Sequence, residues 1–360
     1  SGNDSNDGQS WDQAFATLTQ ALDAARARDT IWVAEGTYTP GSNEGDAFTI
    51  TGDQDGLVLY GGFENGDSFD QRDPTDHRAV LSGDIGGDDN TTADGITPTP
   101  GDIAGENSHT ILQLDGPLTH STRIDGFTIT GGHANEGDNV PYPRSVNGGG
   151  LYCNATNTEC SPTLSHLRFQ GNQADSGSNG AGGALFFLAD GGTSTPRILN
   201  TTFVANHAVN GGAMSVIADG GTAAPTFTNT IFADNRVGSS GRALHASGGN
   251  GGTVAPVGAN VTTAQSTNAW GSEFFIGSSG SLTLTNAVIP EDNTAEIFSL
   301  GADIVLGHTL IEGGTDGVRN DGGTTTYLDA SGSGVSFANS TNIDADPQFV
   351  NATDPNGVDD

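Results

Sequence analysis

The chain has 360 residues, with 44 acidic side chains against 11 basic ones, all of them arginine, for a formal net charge of −33. A field of that sign repels nucleic acid and anionic membranes, so a polyanion-binding role is disfavoured and cations are the natural counterparts. Leu, Ile, Val and Phe make up about a fifth of the residues beside 55 glycines, a composition that implies disorder unless a repeat organises it.

The first element expected is a helix over residues 11–27. Trp11, Phe15, Leu18, Leu22 and Ala25 share one helical face, and Ser10 with Gln13 has capping-box spacing. The run Thr30-Ile-Trp-Val-Ala34 then switches to a strand, so the helix is placed to cover the open end of a strand solenoid. Further strands are expected at 47–50, 56–60, 79–81, 109–114 and 124–130, separated by Gly/Asp/Asn turns. Between them, the insertion from Asp84 to Glu106 carries Asp84, Asp88, Asp89, Asp94, Asp102 and Glu106 among Gly and Asn. Hard oxygen donors on one loop are calcium chemistry, although EF-hand spacing is lacking and a solvated acidic loop is the alternative. Cys153 and Cys160, an isolated close pair, read as one local disulfide formed in an oxidising compartment, with free thiols as the alternative.

An internal repeat then governs the chain. Pro162-Thr-Leu-Ser-His-Leu-Arg-Phe-Gln-Gly-Asn172, Pro196-Arg-Ile-Leu-Asn-Thr-Thr-Phe-Val-Ala-Asn206 and Pro225-Thr-Phe-Thr-Asn-Thr-Ile-Phe-Ala-Asp-Asn235 align without a gap. Each is followed by Gly182-Gly-Ala-Leu, Gly211-Gly-Ala-Met or Gly241-Arg-Ala-Leu and then by a Gly-rich turn. A variable period with fixed motifs means coils stacked at strand spacing, with insertions confined to one loop. Phe169, Phe203 and Phe232 are expected to stack inside, and Asn172, Asn206 and Asn235 to form a hydrogen-bonded ladder at a turn. Asp190, Asp219 and Asn250 are expected to stack in the Gly-Gly-Thr turns. No comparable cap is legible after residue 350, so that end is open to further repeats or to another molecule.

The expected fold is therefore all-β: a single-domain right-handed parallel β-helix over residues 30–350, preceded by a segment with the capping helix (1–29) and followed by a tail or linker (351–360). The Phe-x-x-Asn and Gly-Gly-Ala-aliphatic repeats resemble the passenger domains of chlamydial polymorphic outer membrane proteins. Asp7-Gly-Gln-Ser-Trp11, Ile31-Trp-Val-Ala-Glu-Gly-Thr-Tyr38, Leu59-Tyr-Gly-Gly-Phe63, Leu81-Ser-Gly-Asp84, Ile124-Asp-Gly-Phe-Thr-Ile-Thr-Gly-Gly132 and the tail Ile343-Asp-Ala-Asp-Pro-Gln-Phe-Val350 resemble a wider group of bacterial and archaeal surface β-helix proteins. The resemblance implies a β-helix on a cell surface or in secreted material, often with a separate anchor.

The function expected is an extracellular structural or adhesive module without catalytic activity, its partners being surface or matrix glycans or proteins, or copies of itself. No cofactor is required, calcium being the ion the acidic loop would take. The alternative is a polysaccharide-binding or polysaccharide-degrading β-helix, for which carboxylate pairs such as Asp84 with Asp88 and Asp89 offer hydrolytic chemistry. A lyase needs clustered bases, which scattered arginines supply poorly. The acidity reads either as adaptation to high salt, favoured by the missing lysine, or as that of an ordinary acidic secreted protein. The start, Ser1-Gly-Asn-Asp, is no signal peptide and reads as a processed or trimmed end; no apolar run reaches the length of a membrane span. His166, His207 and His245 fall at different places in the repeat and read as incidental. Sequons at Asn90, Asn154, Asn200, Asn260, Asn339 and Asn351 permit glycosylation.

Overall fold

A computed structural model describes residues 2–136, 142–175, 177, 180–264, 271–290, 296–311, 315–328, 334, 335 and 342. One coil shows how the repeat becomes structure. Its first strand, Arg197–Val204, is bent at Asn200, whose φ of 50° suspends the alternation of the strand, so that Ile198, Thr201 and Phe203 all face inward. Asn tolerates this left-handed conformation better than most side chains. The chain then turns at Asn206, runs through His207–Asn210, and turns again at Gly211, where a φ of 66° and the close approach of the Met214 carbonyl leave no room for a Cβ. Met214–Asp219 and the short Thr222–Ala223 complete the circuit before Pro225 starts the next.

Successive circuits pair in parallel, with Phe169 opposite Phe203 and Phe203 opposite Phe232. Sequence offsets between stacked residues are 34, 29 and 31 in these coils. Among the described residues the strands form sheets of 16, 9, 4 and 3 strands that run along the molecule, and the named strands pair in parallel except Tyr327–Leu328 with Gly334–Val335. Parallel crossovers are right-handed for steric reasons, which gives the right-handed parallel β-helix. Among the described residues no helix is long and apolar enough to cross a membrane.

The core lies inside the coils and is aromatic where the composition is poorest. Phe169, Phe203 and Phe232 stack with centroids 5.2 and 5.0 Å apart and planes within 8°. At the adjacent turn, Asn172 Nδ2 donates to Asn206 Oδ1, and Asn206 Nδ2 to Asn235 Oδ1, each at 3.0 Å. These amides are buried and also donate to the carbonyls of Ile129, Phe169 and Phe203. A second, exposed ladder follows the bend positions: Asn200 donates to His166, Asn229 to Asn200, Asn260 to Asn229 and Asn286 to Asn260. His166 is therefore a ladder member, sharing the positive φ of the asparagines.

The N-terminal helix is shorter than expected and spans Leu18–Ala24, capped by Thr17, whose hydroxyl accepts the Gln20 N–H. Ser10 makes no side-chain cap, and Trp11–Gln13 form only a 3-10 turn. The reason lies at Asp4, whose carboxylate binds the N–H groups of Ala16 and Thr17 and holds the chain extended up to the cap. Leu18 and Leu22 nevertheless enter the core at the end of the first coil.

The Cys153–Cys160 disulfide is formed, with both sulfur-bearing residues fully buried. In the Gly-rich turns the register places Gly249, not Asn250, opposite Asp219, while Asn250 donates to the Asp219 carboxylate at 2.5 Å. A neutral donor thus replaces the third stacked charge. Arg242, standing where other coils have the second corner glycine, is buried with Glu273 Oε1 at 2.9 Å and Glu296 Oε2 at 3.5 Å. At Asn90, Asn154, Asn200 and Asn260 the side-chain nitrogen already donates within the fold. Asn339, Asn351, the closing segment 343–350 and the tail 351–360 lie outside the described residues.

Candidate functional site

Near the helix-capped end the circuit carries two long excursions. Val58–Phe63 pairs with Thr30–Ala34 on one side and with Arg123–Asp125 on the other, so the chain between Phe63 and Arg123 must leave the coil and return. It does so over residues 64–78 and 83–108, on either side of the strand Ala79–Ser82.

The pairing of Thr30–Ala34 with Val58–Phe63 contains a bulge: Trp32 faces Tyr60, but Ala34 faces Phe63. The extra residue comes from Gly61-Gly62, with Gly62 at a φ of 97° and Pro74 leaving no room for a Cβ there. Bulges re-aim side chains. Here the result is that Phe63, fully buried, lies under Trp32 in a near-parallel stack, 4.9 Å between centroids at 11°. Trp11 packs on both rings, at 6.4 Å from Trp32 and 5.9 Å from Phe63, and its Nε1–H donates to the Asp67 carbonyl. Phe69, from the first excursion, closes the group at 5.9 Å from Trp32 and 5.2 Å from Tyr60. Trp32 and Phe69 remain 40% and 46% exposed, so the cluster presents two aromatic rings, tilted 45° to each other, to solvent.

Arg72 locks this excursion down. Its guanidinium lies 4.9 Å from the Tyr60 ring centre, donates from Nε to the Gly61 carbonyl, and reaches the buried carboxylate of Asp125. Asp125 also accepts from Arg123 and from the Ser165 hydroxyl. Burial disfavours its charge, but the bonds from Ser165 and Arg123 and the charge of Arg72 outweigh that and hold its carboxyl at about 2. The rim is acidic: Glu35 bonds His77 at 2.9 Å, and with Asp67 and Glu64 nearby it pushes the His77 pKa up. Beyond Glu35 opens a cleft of about 670 Å3, lined also by Thr37, Asp76, Arg78 and Asp94, with Arg78 and Asp94 paired at 3.0 Å.

The six carboxylates of the acidic insertion are dispersed by the second excursion. Asp84 accepts the N–H groups of Gly87, Asp88 and Asp89. Asp89 accepts from Ala104, Thr97 and Asn107, while burial and then the Asp84 charge raise its pKa. Asp102 binds Thr99 and Asn90; Asp94 pairs with Arg78; Asp88 packs against Gly86 and Gly105; Glu106 is exposed. Asp84, Asp89 and Asp102 thus serve local turns and side-chain bonds, while Asp94 is held in an ion pair. Only Asp84 and Asp89 are brought close to each other by this network.

Trp11, Trp32, Phe63, Phe69 and Arg72 were not legible as a site. The available signal was the placement of two of the three tryptophans within the first 32 residues, inside motifs read for fold alone.

The family described as Protein of unknown function (DUF1565) matches over residues 1–268. No curated protein and no solved structure matches the chain.

Proposed function

The chain belongs to the DUF1565 family, of parallel β-helix architecture, and on that premise we propose that it is an extracellular, non-catalytic adhesive module that binds a neutral or amine-bearing polysaccharide on its aromatic platform. The observation that carries this reading is the exposed pair Trp32 and Phe69 above a buried stack, rimmed by Glu35, Glu64 and Asp67. A sugar ring has an apolar C–H face, which stacks on such rings, and hydroxyl or ammonium groups at its edge, which donate to carboxylates. The same rim, with a net charge of −33 behind it, repels uronates and sulfated chains. The disulfide supports an oxidising compartment.

The test is tryptophan fluorescence and calorimetric titration with oligomers of glucose, glucosamine and galacturonate. Neutral or amine-bearing oligomers are expected to bind, and Trp32→Ala and Phe69→Ala each to weaken binding at least tenfold with an unchanged circular dichroism spectrum. Binding that survives both substitutions, or that selects the uronate, overturns the reading. Release of reducing ends overturns its non-catalytic part.

A further inference from the structure

Away from the platform, and sharing no residue with the acidic insertion, the side chains of Glu44, His109 and Glu136 bring one ligand atom each to within 4.8 Å of one another. They come from three distant stretches, fixed relative to one another by the backbone. The His109 N–H donates to the Glu44 carbonyl at 2.8 Å, the His133 N–H to the Ser108 carbonyl at 2.9 Å, and the Glu136 N–H to the Ser145 carbonyl at 3.0 Å. Backbone hydrogen bonds thus tie all three stretches to the coils or to their neighbours.

The imidazole is the informative member. His109 is 6% exposed, its Nε2 lies 3.4 Å from the Glu136 carboxylate, and its Nδ1 faces the His133 carbonyl at 3.4 Å. A metal-binding imidazole is oriented in this way, one nitrogen held by a carbonyl and the other presented to the ion. Glu44 brings a second carboxylate within the same radius, so two oxygen donors and one nitrogen donor converge on one point, where a cation would offset the repulsion between the carboxylates. The nearby charges are Arg144, which donates to the Gly45 carbonyl, and Asp46, whose carboxylate feels Arg144; His133 is turned to Asp175 at 3.2 Å.

We propose that Glu44, His109 and Glu136 form a binding site for a divalent transition-metal ion of the zinc class. One imidazole nitrogen with two carboxylate oxygens suits zinc, cobalt or nickel, whereas calcium takes six to eight oxygens, which three side chains do not supply. Three protein ligands leave a coordination position for water or a partner's donor group.

The test uses the full chain stripped by a chelator, titrated with Zn2+ by calorimetry and with Co2+ by visible absorption. One ion per chain is expected, with a cobalt band in the visible, and Ca2+ binding there at least a hundredfold more weakly. His109→Gln, Glu44→Gln and Glu136→Gln are each expected to weaken zinc binding at least tenfold. Glu136 is exposed, so its variant reports on the ion even if the buried His109 variant fails to fold. Zinc binding that survives Glu44→Gln and Glu136→Gln, calcium binding of equal strength, or a melting temperature that responds to Glu136→Gln but not to Zn2+, overturns the proposal.

Discussion

Asn206 and Asn229 occupy two ladders of one molecule and make comparable amide-to-amide bonds, yet their surroundings differ. Asn206 is fully buried, and its loss strands the Phe169 carbonyl and the Asn172 N–H, whereas Asn229 is exposed and water replaces its partner. Unsatisfied buried groups cost about 1–3 kcal/mol each, so Asn206→Ala is expected to lower unfolding free energy by about 2–4 kcal/mol, and Asn229→Gly, which keeps the positive φ without strain, by less than about 1 kcal/mol. Urea unfolding of the two variants checks this, and equal costs contradict it. The buried ladder was legible because Pro, Phe and Asn keep constant offsets through three repeats. The exposed one was equally present, at four residues after each proline, but His166 at the first position hid it. Asp125 makes the residue-scale case for pH. Its carboxyl sits at about 2 in the fold against an ordinary value near 3.8, so its contribution is present above pH 4 and lost as pH falls towards 2. That shift corresponds to about 2 kcal/mol. Asp125→Asn is expected to flatten the acid limb of a melting profile between pH 4 and 2 and to lower stability at neutral pH, where it strands Arg72.

The excursion 64–78 is the element that makes the platform, and its own sequence does not announce it. Repeat offsets identify coils that return after about thirty residues; this circuit returns only after two detours, so Phe63, Phe69 and Arg72 had no repeat partner to mark them. The helix illustrates the opposite error. Its apolar spacing was real, but one carboxylate, Asp4, caps the chain from outside the pattern and delays the start to Leu18. The tie between the excursion and the coil at Glu35 and His77 is pH-dependent. With its pKa raised above the usual 6.5 by the Glu35 bond, His77 supports the tie below that pH, and the support is lost as pH rises through the raised value. NMR titration is expected to place His77 above an exposed histidine and to return it towards 6.5 in Glu35→Gln. An unmoved titration contradicts the tie.

At the scale of the molecule, the repeat legible in the sequence accounts for the stacked coils, and the charge accounts for its surface. Eleven arginines cannot neutralise 44 carboxylates, so self-repulsion is unscreened in dilute buffer. The melting temperature is expected to rise between dilute and molar sodium chloride; a flat profile excludes salt adaptation. The same stacking has a mechanical side. Hydrogen bonds between coils lie along the long axis, so tension applied to the two ends of the solenoid loads the coil interfaces in series, and the weakest yields first. A freed coil of 29 to 34 residues releases roughly 100 Å of extended chain. A strained molecule therefore lengthens stepwise, one coil at a time, while the coils still stacked keep their register.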